Sequence, residues 1–362
     1  MEQLIYFASA HTSAGYCDLL TTNLTGLKHV FFIEGATTQE RSECIRIFFE
    51  KWRARGEKIE LILNSLDKTS YAGVINRRLN CAIIDRTKHF DYQMKALGVV
   101  EHTIDLSKSI NQEKLQHERE EIIALTAEKN HQIKAAHQSF ATGLDLHDDL
   151  EKIFINAMDF NKADQVAEQL IEDIFQNHTS KKANPITRHR YLGASTAKGV
   201  VDYVDQLTEQ LKKRYLIKGR AGSGKSTLLR KIVAEAEKRN YSLELYHCGF
   251  DPDSLDMVVI RELSLAIFDS TAPHEYEPSR HGDELIDLYQ TTIAPGTDEK
   301  YYDDISRLTT RYKHFIQHGT TLLAKALEAE QKIDHIYHQH LDLDLLNQQI
   351  KQLTERVASL QK

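Results

Sequence analysis

No run of about 18 apolar residues occurs anywhere in the chain, so no segment is built to cross a bilayer as a helix. The opening MEQLIYFASAHTSAG has neither a basic leader nor a continuous apolar stretch, which argues against a secretion signal. Cysteine is scarce. Cys17, Cys44, Cys81 and Cys248 form no CxxC pair and fall far short of a disulfide scaffold, which points to the reducing cytoplasm. A surplus of positive charge is missing too. The formal net charge is -7, which gives no general affinity for nucleic acid. With 41% hydrophobic and 27% charged residues, the composition is that of an ordinary globular protein. The 362 residues suggest two domains of about 150 residues each.

What the chain does contain is itself, twice. Gly219 lies 184 residues after Gly35, and that one offset aligns the halves without gaps. Thr12 falls on Thr196, Gly15 on Gly199, Asp18 on Asp202, Ser42 on Ser226 and Arg46 on Arg230. Farther on, Glu60 meets Glu244, Asp67 meets Asp251, Arg77 meets Arg261, Asp85 meets Asp269 and Thr87 meets Thr271. Register held this long marks a tandem duplication. Three of the cysteines fall on Val201, Leu228 and Leu265, so these positions want a small apolar side chain rather than redox or metal chemistry. The polar stretch His178 to His189 reads as the linker, dividing the chain into units 1–180 and 181–362.

Each copy shows strands and helices in alternation. Strands are expected at Leu4–Phe7, His29–Ile33, Lys58–Leu63 and Leu79–Ile84. Their mates are Tyr191–Leu192, Arg214–Ile217, Ser242–Tyr246 and Leu263–Phe268. The pattern predicts two tandem three-layer α/β units with parallel sheets. So few strands leave each sheet short, and the two sheets are expected to lean on each other. A long helical arm ends each copy, over about 110–177 and 298–361, with apolar positions in heptad steps. At about 40 residues an arm reaches roughly 60 Å. Its seam is read either as packing on its own core or as a surface for a protein partner or self-association.

The chemistry concentrates in Gly219-Arg220-Ala221-Gly222-Ser223-Gly224-Lys225-Ser226, followed by Thr227, between an apolar strand and an amphipathic helix. This is GxxxxGK[ST] in full. Its glycines let backbone N–H groups wrap phosphates at the positive end of a helix dipole. Lys225 is expected on the β- and γ-phosphates and Ser226 on Mg²⁺, with Asp269, ending an apolar strand, as second metal ligand. Residue 270 is Ser, so no glutamate follows to activate water. Asp251, Asp253 and Asp256 of HCGFDPDSLD, with His274 and Glu275, are the candidates for that task; all are also ordinary turn formers or surface residues.

The blocks GRAGSGKST, HCGFDPDSLDMVVI, AIFDSTAPHE, RYLGASTAKG and PGTDEKY resemble an uncharacterised family of bacterial tandem P-loop ATPases. YFASAHTSAG and HDDLEKIFINAMDF carry the resemblance through the first half. It implies a duplicated P-loop fold and nucleotide binding, without naming a substrate. It also implies an intact first loop, and there this chain departs. GATTQERS puts Glu40 where the second copy has Gly224, and Arg41 where it has Lys225. A carboxylate about 4 Å from a phosphate costs on the order of 4 kcal/mol. The first copy is therefore expected to bind no nucleotide.

Asn161-Lys162-Ala163-Asp164 spells the guanine-reading NKxD motif, but it sits in a helical stretch attached to the broken copy and reads as coincidence. ATP is accordingly favoured over GTP. His335, His338 and His340 give no closed metal-ligand set and read as a solvated helix face. The expectation is an ATP-binding, Mg²⁺-dependent NTPase with one site, the catalytic work falling to Lys225 with Asp251, Asp253 or His274. Its rivals are a small-molecule kinase and a nucleotide-dependent switch that holds a partner with its arms.

Overall fold

The computed structural model describes residues 3–360 except Asn177, Lys181 and Pro273. The expected limits at 1, 177, 181, 361 and 362 fall outside the described residues.

In the first half the elements run β1 (Gln3–Tyr6), β2 (Ser9–Thr12), β3 (Gly15–Asp18), α1 (Leu20–Asn23), β4 (His29–Glu34) and α2 (Thr38–Ala54). They continue with β5 (Ile59–Leu63), β6 (Tyr71–Asn76), β7 (Cys81–Asp85), β8 (Glu101–Asp105), α3 (Gln112–Leu115), α4 (Arg119–Ile155) and α5 (Phe160–Phe175). The second half repeats them. Its elements are β9 (Thr187–Tyr191), β10 (Gly193–Thr196), β11 (Gly199–Asp202), α6 (Val204–Leu207), β12 (Lys213–Lys218), α7 (Lys225–Lys238) and β13 (Leu243–His247). After these come β14 (Leu255–Ile260), β15 (Leu265–Asp269), β16 (Asp283–Asp287), α8 (Leu288–Thr292), α9 (Thr297–Lys300), α10 (Tyr302–His338) and α11 (Leu343–Ser359). Strands β9 to β15 start 184 residues after β1 to β7, the offset read from the sequence.

Each half builds a six-stranded sheet, in the orders β1-β5-β6-β7-β4-β8 and β9-β13-β14-β15-β12-β16. Neither sheet is parallel, as had been expected. β6 and β14 run antiparallel to both neighbours, so both sheets are mixed. The reason is local. A short polar turn, such as Cys248 to Ser254, reverses the chain where a parallel sheet would need a crossover helix. The polar stretch read as a linker also becomes strand from Thr187 onward.

The arms reach beyond their own halves. α4 and α10, 37 residues each, pack on one another in antiparallel fashion. Ser139 donates to the Phe315 carbonyl at 2.7 Å, the Phe140 ring lies over Gly319, and Leu150 and Phe154 cluster with Leu308. The apolar seam that could have held a partner is spent inside the chain. Crossing this way, α4 delivers α5 to the second sheet, where Ala167, Leu170 and Phe175 join that core. In return α10 delivers α11, whose Leu346, Ile350, Leu353 and Val357 join the first. Burial of each of these leucine, isoleucine, valine and phenylalanine side chains contributes about 1.5–3 kcal/mol.

The sheets also lean on each other, as expected. Phe7 and Tyr191, just beyond β1 and at the end of β9, exchange both backbone hydrogen bonds at 3.1 and 2.9 Å. One cluster holds core residues of both halves, from Tyr6 and Phe32 to Tyr246 and Phe268. At its centre Arg190 has no exposed surface. Its guanidinium reaches Glu60 at 2.7 Å and Glu244 at 3.4 Å, and lies 4.1 Å from the centre of the Tyr6 ring. Burial alone would raise the Glu60 carboxyl, but Arg190 and Arg77 hold it well below the usual range. Removing Arg190 leaves two buried carboxylates short of a partner, which costs about 3–5 kcal/mol. We therefore expect one cooperative unfolding transition for the whole chain, shifted down but not split in Arg190→Leu. Two separate transitions in denaturant titration of the parent protein would contradict the shared core.

Candidate functional site around the second glycine-rich loop

The loop Gly219–Gly224 joins β12 to α7, whose first turn carries Lys225, Ser226 and Thr227. Gly222 and Gly224 take φ of 72° and 85°, a region that side chains disfavour. Gly224 is the N-cap of α7 and offers no side-chain cap, so the first-turn N–H groups are left for an anion. Lys225 Nζ lies across the loop, donating to the carbonyls of Arg220 at 2.9 Å and Gly219 at 3.2 Å, with Asp269 Oδ2 3.6 Å away. Ser226 Oγ accepts the Leu255 N–H at 3.1 Å, which orients the hydroxyl at the foot of β14. The Ser223 hydroxyl is buried and has no hydrogen-bond partner. Ala221 and Thr227 complete the lining, and Arg220 pairs with Asp298 at 2.6 Å.

The loop opens into a cavity of about 980 Å³. Asp269, at the end of β15, lines it while its Oδ1 accepts the Thr271 N–H at 2.9 Å, so turn-capping and site roles coexist. Ser226 and Asp269 are two oxygen donors of the kind Mg²⁺ takes, both beside Lys225, so the residues fit that ion. Asp251 lines the cavity, its carboxyl raised by burial. His274 lines it too. Burial works against its protonation, but a 2.8 Å bond to Asp202 Oδ2 raises its basicity overall. Asp253 is exposed and outside the lining, with its backbone carbonyl accepting from Arg230 and its N–H donating to Asp251 Oδ1 at 3.2 Å. Glu275 is likewise exposed and outside it. Asp256 is the buried one of the three carboxylates in the segment 251–256. It is buried on β14 inside the cavity, and burial together with the charge of Asp269 pushes its carboxyl up to about 7.

The roof comes from the other half of the sequence. Glu151 of α4 accepts the Gly222 N–H at 3.2 Å, and a Cβ on Gly222 would lie 2.5 Å from the Glu151 carbonyl. Met158 lies against Gly224, and Phe154, Phe160 and Asp164 extend the wall. Sequence reasoning missed all of these because it assigned the arm to its own half. The signal was HDDLEKIFINAMDF, a block spanning His147 to Phe160 that lies in the arm rather than in the α/β core of the first half.

In the first half the same frame is filled. Arg41 is buried and folds into its own loop. It pairs with Asp85 at 3.0 Å and donates to Gly35 O, Ala36 O, Thr38 Oγ1 and Thr87 Oγ1 at 3.0–3.2 Å. Glu40 is closed over by His338 of α10 at 2.8 Å, and Asp334 accepts the Thr38 N–H at 3.2 Å. His338 thus has a partner rather than a purely solvated face. No protein-family model, curated protein or solved structure matches the chain.

Arg41→Ala strands the buried Asp85, at a cost of about 3–5 kcal/mol. The expected outcome is a clear drop in the thermal midpoint, read by circular dichroism, and an unchanged midpoint would mean that Arg41 does not hold the first loop together.

Proposed function

We propose that the second half binds ATP together with Mg²⁺ and cleaves its terminal phosphoryl group, while the first half supplies the roof and no nucleotide site of its own. One observation carries this reading: left-handed glycines, an uncapped helix start, a lysine across the loop and a Ser226–Asp269 oxygen pair share one large cavity. Backbone N–H groups of the loop would hold the phosphates, and Lys225 would balance the charge between β and γ. Mg²⁺, held by Ser226 and Asp269, would add charge neutralisation at the phosphate oxygens. We assign Asp256 the proton of the attacking nucleophile, because it is the enclosed carboxylate on the cavity floor. Glu151 already occupies the Gly222 N–H, so phosphate binding displaces that side chain.

A second reading, transfer of the phosphoryl group to a small-molecule hydroxyl, is favoured by the cavity size. At about 980 Å³ it lies at the top of the range of roughly 300–1,000 Å³ usual for ligand pockets. Turnover of labelled ATP with and without a metabolite extract separates the two. Either way, calorimetric titration with Mg²⁺ and a non-hydrolysable ATP analogue should give one site per chain, abolished in Lys225→Ala. Two saturable sites, or binding that survives Lys225→Ala, would sink the proposal.

A further inference from the structure

The helix exchange changes the meaning of Asn161-Lys162-Ala163-Asp164. In sequence it trails the first half; in space, α5 lies on the second core and packs against α7, which the glycine-rich loop feeds. Ala163 and Asp164 line the cavity, whereas Asn161 and Lys162 do not. Asp164 reaches across to Lys231, two helical turns beyond the loop. Phe160, at the start of α5, is 60% exposed and also lines the cavity, an unusual situation for a phenylalanine in a folded chain.

The direction in which a nucleotide lies follows from the chemistry of the floor. Asp256, Asp269 and His274 line the cavity close to one another, with Lys225 beside Asp269, and this is where a terminal phosphate would react. The nucleoside must then extend the opposite way, past Ser226 and Thr227 along the first turns of α7. What walls the cavity there is the elbow between α4 and α5: Ile155, Met158, Phe160 and Asp164. The elbow is fixed in place. Asp159 N–H donates to the Thr292 carbonyl at 2.7 Å, Ala294 N–H donates to Ala157 O at 2.9 Å, and Asp159 caps α5 through the Lys162 N–H at 3.1 Å.

We infer that this elbow is the base-binding site, with Phe160 stacking on a purine and the Asp164 carboxylate accepting from its exocyclic amino group. Lys231 holds Asp164 by one oxygen, and a carboxylate keeps acceptor capacity for a further donor. Adenine, whose amino group offers N–H donors, satisfies this arrangement, while hypoxanthine turns a carbonyl toward the carboxylate. The inference rests on the reading of the loop as a phosphate cradle, and the probes are chosen to separate the two.

The experiment is calorimetric titration, with Mg²⁺, of the imido analogues of ATP and ITP and of tripolyphosphate, which has no base. In the parent chain the ATP analogue should bind about tenfold tighter than the ITP analogue, and both tighter than tripolyphosphate. Phe160→Ala should weaken the ATP analogue about tenfold and leave tripolyphosphate unchanged. Because Phe160 is exposed, that variant keeps its core. In Asp164→Asn, the amide can donate to a carbonyl, and the ATP-to-ITP preference should fall to within about twofold. Tripolyphosphate binding, with the affinity of the ATP analogue untouched by Phe160→Ala and the ATP-to-ITP ratio untouched by Asp164→Asn, would overturn the base site alone. No binding of tripolyphosphate or nucleotide would overturn the phosphate cradle and the base site together.

Discussion

The antiparallel pairing of α4 with α10 decides what each half can do. Two helices of 37 residues, each about 55 Å long, run past one another and so end over the sheet from which they did not start. The return helices α5 and α11 then bury their apolar faces in the opposite cores, and each elbow is pinned by backbone hydrogen bonds to its host. Small residues permit the close approach: Gly319 receives the Phe140 ring, and Gly143 faces Phe315. A duplication that could have given two independent units instead gives one body in which each sheet is covered partly by its own helix, α2 or α7, and partly by the return helix of the other half. The Arg190 network repeats this logic at the centre, where one guanidinium serves a glutamate from each half.

The two loops show how one frame diverges electrostatically. Strand, loop and helix keep their offsets, and Ser42 Oγ accepts the Tyr71 N–H at 2.8 Å much as Ser226 accepts that of Leu255 at 3.1 Å. In the second loop, positive φ glycines leave a cradle with a lysine across it. In the first, the Arg41 fork spans several acceptors of its own loop, an internal occupation that a lysine's single ammonium could not match. α10 then seals the frame with Asp334 and His338, as α4 roofs the other with Glu151. The pseudo-symmetry extends to the roofs, and the one that α4 forms covers the cavity of about 980 Å³.

Much of this was legible in the sequence. The offset of 184 revealed the repeat, the apolar runs located β1, β4, β5 and β7 with their mates, the glycine spacing located the loop with Lys225 and Ser226, and the end of an apolar run located Asp269. What escaped was non-local. The strands at Tyr71–Asn76 and Leu255–Ile260 follow turn-rich segments and carry no helix before them, so the expected alternation passed over them and the sheets were taken as parallel. Asp253 and Asp256 differ by three residues, yet only the one that falls on β14 is enclosed. The exchange of helices leaves no mark in periodicity, since an apolar stripe does not say which core it meets. Hence Glu151, Phe160 and Asp164 were assigned to the wrong half.

The central claim is that the arm of the first half forms part of the nucleotide site of the second. Hydrogen–deuterium exchange of the full chain, with and without Mg²⁺ and a non-hydrolysable ATP analogue, tests it most directly. The account predicts slower exchange in two segments far apart in sequence, 150–166 and 219–231, with no change over 33–42. Protection confined to 219–231, or appearing over 33–42, would contradict it.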